Sequence, residues 1–327
     1  MIRIRAVVSM FLLFSICLVP SKTLSNPASS TNGGPPAWAY VVPPPDAKSP
    51  ADDGKARKVP NSFARYTLKQ VSDPFLAPDW HPLDHPKMPG IVAHGRKPDV
   101  KACGYCHRAD GPGGPENASL AGLPYDYILE QMEDYKAGHR TTALPGRLPQ
   151  VSMIALAKAA TDEEIQAAAK YFSTLKPRQN IRVVETARVP KTYVAGWVLA
   201  AKEGKEREEL RQRIVEAPED LERFESRDTR ATFIAYAPMG SLRAGAAIVR
   251  GERTGPACAT CHGKDLRGRE LAPSIAGRSP SYIFRQLYEI QTGARKGSGV
   301  LLMKAAVAQL SPDEMIAVSA YLASLEP

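Results

Sequence analysis

The chain has 327 residues, of which 43% are hydrophobic and 7% aromatic, with a formal net charge of +9. That length accommodates two cores of ordinary domain size plus connecting segments, and so few aromatics leave room for a non-protein group at the centre of each. The moderate basic excess suits an anionic membrane or an acidic protein partner; nucleic acid is excluded by the export signal described next and by the lack of a basic run with interleaved aromatics.

Residues 1–25 read as a cleavable export signal. Arg3 and Arg5 form a positive start, Ala6 to Val19 is almost unbroken apolar sequence, Pro20 ends it, and small polar residues up to Ser25 suit cleavage. The apolar stretch is shorter than the about 20 residues that a membrane span needs. The residues before Cys17 form no lipobox, and Arg3 and Arg5 are not adjacent, so general export to the periplasm is expected. Loss of Arg3, Arg5 and Lys22 lowers the net charge from +9 to +6. Cys17 leaves with the signal, and the other four cysteines form two pairs of identical spacing. None remains for a disulfide, in a compartment where disulfides would persist.

Residues 26–87 are rich in proline, with Pro43, Pro44 and Pro45 in succession. They are expected to form an extended surface arm, with His81 and His85 as solvated loop histidines.

Two repeats follow, at 88–177 and 240–327. Cys103, Cys106 and His107 recur as Cys258, Cys261 and His262, at an offset of 155. At the same offset Gly90, Gly122, Tyr127, Gln131, Gly138 and Arg140 recur as Gly245, Gly277, Tyr282, Gln286, Gly293 and Arg295. Five extra loop residues in the first repeat then reduce the offset to 150, so that Met153, Tyr171 and Pro177 match Met303, Tyr321 and Pro327. Ile128, Met132 and Tyr135 share one helical face, as do Ile283, Leu287 and Ile290. The last helix of each repeat opens on a capping box, Thr161 with Glu164 and Ser311 with Glu314. The apolar stripes behind them are Ile165, Ala168, Phe172 and Met315, Val318, Leu322, Leu325.

Residues 178–239 are too many for a simple connector. Ile181 to Val184 and Tyr193 to Leu199 read as short strands, and Lys202 to Arg213 as a solvated helix or loop. The segment is expected to be a small ordered bridge without chemistry of its own.

In C-x-x-C-H, two thiols add across the two vinyl groups of one haem and the adjoining histidine lies under its iron. Cys103, Cys106, His107 and Cys258, Cys261, His262 therefore predict two covalently bound haem c groups. Zinc would need four ligands gathered locally, and a thioredoxin-like pair would not need a following histidine twice. Met153 and Met303, matched just before the final helix, are the candidate sixth ligands: a thioether suits low-spin iron and raises its potential relative to a second histidine. The metal ligands expected are thus His107, Met153, His262 and Met303.

On CGYCH and CATCH, the Y-I-x-x-Q-[ML] helices with their following G-x-R, and the methionine-to-final-helix spacing, the two repeats resemble the two-domain dihaem class I cytochromes c, of the cytochrome c-four type. The resemblance implies a mainly α fold: two tandem class I cytochrome c modules, here joined by a segment with some short β-strands. It implies one exposed haem edge per module, and Gly90 on Tyr171 and Gly245 on Tyr321 where first and last helices cross. It also implies a proline carbonyl holding the proximal histidine through Nδ1–H; Pro273 occupies that place for His262, whereas the first repeat has Ala118. The arm and the bridge depart from a minimal family member.

Iron with protein ligands on both faces has no position for substrate, so an electron carrier between redox proteins is expected rather than an enzyme. The alternatives are a dihaem peroxidase, which needs one iron that can open, and a haem subunit associated peripherally with a membrane respiratory or dehydrogenase complex. Residues 240–327 carry 11 basic and 7 acidic side chains against 10 of each in 88–177. An acidic partner is therefore expected on the second module, steered by Arg285, Lys296 and Lys304.

Overall fold

A computed structural model describes residues 34–47, 51–253 and 255–327; the expected export signal lies outside them. After α1 (Leu68–Ser72) in the arm, the first module comprises α2 (Gly90–Ala93), α3 (Cys103–His107), α4 (Tyr125–Lys136), α5 (Leu148–Ala159) and α6 (Asp162–Thr174). The bridge carries β1 (Ile181–Glu185), β2 (Arg188–Pro190), β3 (Thr192–Ala195), β4 (Val198–Ala201), β5 (Arg207–Glu209), β6 (Val215–Pro218), α7 (Leu221–Glu225) and β7 (Phe233–Ala237). The second module comprises α8 (Ser241–Val249), α9 (Ala259–His262), α10 (Pro280–Thr292), α11 (Leu301–Val307) and α12 (Pro312–Ser324). The expected fold class, two tandem helical modules with short strands between them, is what the chain adopts.

The helices form where periodicity and caps demand them. Both capping boxes are made, Thr161 with Glu164 opening α6 and Ser311 with Glu314 opening α12, and each supplies partners for otherwise orphaned helix N–H groups. Ile128, Met132 and Tyr135 of α4 are buried, as are Ile283, Leu287 and Ile290 of α10. Full burial of such a side chain stabilises by about 1.5–3 kcal/mol. The second module has one continuous core, in which Ile248 and Val249 of α8 meet Phe284 and Ile290 of α10 and Met315, Val318 and Leu322 of α12. The first module has two smaller clusters, one around Val92, Tyr171 and Phe172 and the other around Val100, Met132 and Ile165.

The helix crossing differs between the modules. At Gly245 a Cβ would overlap the Ala317 carbonyl and come within 2.7 Å of the Tyr321 Cβ, so α8 and α12 pack as the resemblance implies. Gly90 is exposed and a Cβ there would meet nothing within 4 Å. The expectation for Gly90 fails because α2 is a single turn that meets Tyr171 and Phe172 of α6 through Ile91 and Val92 and not through the glycine. The arm braces this short turn: the Ala77 N–H donates to the Ala93 carbonyl (2.8 Å) and the Ala102 N–H to the Pro74 carbonyl (2.9 Å).

The arm is thus built into the molecule and is not a solvated strap. Trp38 packs its ring on Phe284, centroids 4.6 Å apart, and Ala39 and Tyr40 are buried in the second module's core. Val59, Val71 and Trp80 form a small core of their own, and the Trp80 indole donates to the Ser226 carbonyl of the bridge at 2.7 Å. His81 and His85 are not the solvated histidines expected. The His81 side chain is 2% exposed, with Nε2 3.0 Å from Asp228 Oδ1, and the His85 ring, also 2% exposed, lies 3.2 Å from Asp79 and 3.0 Å from the Tyr171 hydroxyl. Apart from α1, the described arm carries little regular structure, and the aromatic residues between its prolines pin it down.

In the bridge, β7 is central, parallel to β1 (Ile181 opposite Phe233) and antiparallel to β6 (Val215 opposite Tyr236). Ile181, Phe233 and Ala235 pack on Ala323 of α12. The stretch read as one strand from Tyr193 to Leu199 is a hairpin, β3 against β4, turned at Gly196 with φ +57°. The charged run Lys202 to Arg213 is mostly exposed apart from Leu210, and in place of the expected helix or loop it contains the strand β5, paired with β2.

Gly245→Ala should lower stability by on the order of 2 kcal/mol through overpacking, whereas Gly90→Ala should be neutral or stabilise by up to about 1 kcal/mol. Denaturant unfolding of the two variants of the holoprotein checks the contrast.

Candidate haem sites and the module interface

In CGYCH and CATCH one helical turn brings the first cysteine and the histidine to the same face. Each turn then stops at a residue with positive φ, Arg108 at +67° and Gly263 at +81°. Glycine adopts that conformation without strain; arginine does so at a cost. The chain loops back so that the His107 Nδ1 lies 2.8 Å from the Ala118 carbonyl and the His262 Nδ1 2.8 Å from that of Pro273. A carbonyl only accepts, so Nδ1 carries the hydrogen and Nε2 keeps its lone pair. Burial lowers the pKa of both rings, which keeps the imidazoles in the neutral, metal-binding form. Burial likewise pushes the Cys103 thiol up to about 12.

A cavity of about 940 Å³ runs through both modules. Cys103, Cys106, His107 and Met153 (on α5) line it in the first module, and Cys258, His262 and Met303 (on α11) in the second. Seven of the eight residues singled out by sequence are therefore brought to one space, and Cys261, the eighth, is exposed beside it. Met153 packs against Val100, Met132 and Ile165, and Met303 against the core of the second module.

Between the two ends of this cavity lies a polar lock assembled from repeated residues. Arg140 donates to Gln131 of its own module (2.9 Å) and to Tyr282 (2.8 Å) and Gln286 (3.0 Å) of the other. Arg295 mirrors it, donating to Gln286 (3.0 Å) and across to Tyr127 (3.0 Å) and Gln131 (2.8 Å). The backbone obeys the same symmetry, with the Thr141 N–H donating to the Ala294 carbonyl and the Lys296 N–H to that of His139, both at 2.8 Å. Two further arginines reach from α10 and the loop before it into the first module: Arg278 to Ser119 Oγ (2.6 Å) and the Ala121 carbonyl (3.1 Å), Arg285 to the Pro115 carbonyl (2.5 Å). Arg285 is 5% exposed, so it is a strut of this interface and not part of a steering surface; Lys296 and Lys304 are exposed as expected.

The donor set fits haem. Arg108, Arg140, Arg278 and Arg295 all line the cavity, and each has one buried guanidinium N–H without a hydrogen-bond partner among the described residues. Haem carries two carboxylate side chains, which are the acceptors such N–H groups require. Burial pulls the pKa of Arg108 and of Arg278 down to about 10, still charged at neutral pH. In the sequence, Tyr127, Gln131 and Arg140 and their counterparts stand out as repeated residues and as part of the motifs of the resemblance, with nothing to show that they meet across the modules. Polar residues recurring on a helix with an otherwise apolar face were the available signal. Arg108 left no such signal, because its partner position holds Gly263.

The Cytochrome c family profile matches residues 92–176 and 243–326. Cytochrome c4 of Azotobacter vinelandii is 28% identical over 228 residues, covering 68% of this chain and 84% of the relative. The thiosulfate dehydrogenase electron acceptor of Thiomonas intermedia (strain K12) is 27% identical over 230 residues, covering 69% and 80%. The structure of reduced recombinant cytochrome c4 from Pseudomonas stutzeri aligns at 23% identity with a TM-score of 0.45, over 68% of this chain and 93% of that one. The chain belongs to the cytochrome c family, as a dihaem class I member of the cytochrome c4 type. It holds two covalently bound haem c groups and carries electrons.

Arg140→Met and Arg295→Met should each destabilise the holoprotein, and because they share Gln131 and Gln286 their effects should not add. A double-mutant cycle on denaturant stability should show a coupling of about 1–3 kcal/mol.

Proposed function

We propose that the chain is a periplasmic electron carrier, not an enzyme, in which Cys103 and Cys106 fix one haem and Cys258 and Cys261 the other. His107 with Met153, and His262 with Met303, are the axial ligands. The observation that carries this reading is the pair of Nδ1–H to carbonyl bonds, which leaves both Nε2 lone pairs for iron, with a methionine lining the same cavity in each module. When bound, haem supplies reversible one-electron chemistry, iron(II) to iron(III). The chain's own work is to orient each imidazole, keep the surroundings apolar and neutralise the carboxylates with buried arginines. Ligation from both faces blocks substrate access and counts against a peroxidase. The signal read in residues 1–25 supports export. For the donor, a dehydrogenase is favoured, since two relatives bear the name thiosulfate dehydrogenase electron acceptor.

Pyridine haemochrome quantitation should give two haems per chain, and one in a Cys258→Ser, Cys261→Ser variant. Met153→His and Met303→His should each lower one potential by on the order of 0.1 V, a fraction of the roughly 0.8 V that axial ligation spans. They should leave the other potential nearly unchanged and create no peroxide turnover. If Met153→His alters no spectrum and no potential, the first haem has a different sixth ligand.

A further inference from the structure

The two sites are related by sequence and closed differently. Over the first, arm and bridge form a roof. The Tyr105 hydroxyl donates to the Ser72 carbonyl (3.2 Å), and Arg227 donates to the carbonyls of Val71 (3.0 Å) and Tyr105 (2.9 Å). Its guanidinium also lies 3.6 Å from the centre of the Tyr105 ring. Arg108 stacks on Phe224 of α7 at 5.1 Å, and the tip of the β3–β4 hairpin brings Trp197 to within 6.0 Å of Arg147, at the start of α5. Val71, Ser72, Phe224 and Arg227 thereby become walls of the first site.

Among the described residues no hydrogen bond or ring contact ties arm or bridge to the C-x-x-C-H turn of the second, where the arm packs on α10 instead through Trp38 and Tyr40. Thr260 and Cys261, matched to Tyr105 and Cys106, are exposed. Gly255, just ahead of that motif, lies beside α11, where a Cβ would be 3.6 Å from the Ala306 carbonyl. The next residues outward on α11, Leu301 and Leu302, are 67% and 79% exposed, and Leu271 on the loop after His262 is 56% exposed. Charges of both signs surround these leucines in sequence, Asp265 and Glu270 among them, and most of the cations are paired. Arg250, Arg253, Arg267 and Arg269 each pair with a glutamate, whereas Lys264 and Lys304 make no ion pair among the described residues. Their counterparts in the first module are Ala109, which is buried, and Ile154.

We propose that the first haem is sheltered by the arm–bridge roof and that electrons pass to and from an acidic redox protein only through the edge of the second. The partner docks on Leu271, Leu301 and Leu302 between Lys264 and Lys304. The assignment rests on the ligand set proposed above. An apolar contact flanked by two lysines free of ion pairs gives close approach without a desolvated ion pair, while the lysines raise the encounter rate. In each exchange the reduced chain gives up one electron, iron(II) becoming iron(III), and the partner takes it up. No bond or proton changes hands.

The probe is oxidised plastocyanin, an acidic blue-copper protein whose copper(II) becomes copper(I), mixed with the reduced holoprotein in a stopped-flow instrument. A Lys264→Glu, Lys304→Glu variant should react at least tenfold more slowly at low ionic strength, with the gap narrowing as salt rises. Lys69→Glu, a single charge reversal on the roof, should change the rate less than twofold, whereas Lys304→Glu alone should slow it about threefold. Carbodiimide cross-linking of the unaltered proteins, mapped by mass spectrometry, should join plastocyanin carboxylates to Lys264 and Lys304 and not to Lys55 or Lys69. An unchanged rate in the double variant, equal slowing by Lys69→Glu, or cross-links concentrated on the roof would overturn the proposal. The potential of Met303→His separates this from failure of the ligand set: if it falls as expected, the ligation at the second site stands whatever the docking result.

Discussion

The pairing of Arg140 with Arg295 across a local two-fold axis is the constraint on which the rest of the molecule depends. Each guanidinium takes one glutamine from its own module and a glutamine and a tyrosine from the other. Neither module can satisfy these groups alone, and a buried arginine that loses its partners costs several kcal/mol. The arrangement is that of an isologous dimer interface, in which residue i of one copy meets residue j of the other and the reverse, here within one chain. It fixes α4 against α10 and with them the two ends of the shared cavity.

Symmetry at the interface is combined with asymmetry everywhere else. The second module closes itself, because Gly245 lets α8 lie directly on α12. The first has only one turn, α2, where that helix should be, and borrows the arm to finish its fold. The borrowed pieces are then tied to the bridge through Trp80 with Ser226, His81 with Asp228, and Asp84 with Arg230. Arm and bridge thus form a brace around the first module, and the same brace gives its site different surroundings from the second.

How much of this the sequence disclosed follows from the range over which each signal acts. Capping boxes, amphipathic faces and C-x-x-C-H are local, and they were legible together with the repeat that relates them. The Nδ1–H bond to residue 273 could be anticipated because proline marks the place, and the same bond to Ala118 shows that the carbonyl, which every residue has, is the functional atom. What stayed hidden depends on distant partners. Arg285 looks like a surface cation until the Ala39 and Pro115 carbonyls are seen to hold it. His81 looks like a loop residue until Asp228, 147 positions away, arrives. Gly90 and Gly245 match perfectly in sequence, and only the length of the helix around each decides whether the glycine is used.

The cavity also explains the composition. Its walls are mainly apolar, and apolar surface taken from water stabilises by about 25 cal/mol per Å². Haem packed against them is therefore part of what holds the fold and not an addition to a finished core. With 7% aromatic residues, the chain does not provide the large side chains that would fill such a volume, and four arginines on its walls each have a buried guanidinium nitrogen with no acceptor among the described residues. Haem answers both needs, supplying apolar area to the core and carboxylates to the guanidinium groups. Covalent attachment through the cysteines then keeps in place a group on which the packing of both modules and their interface depends.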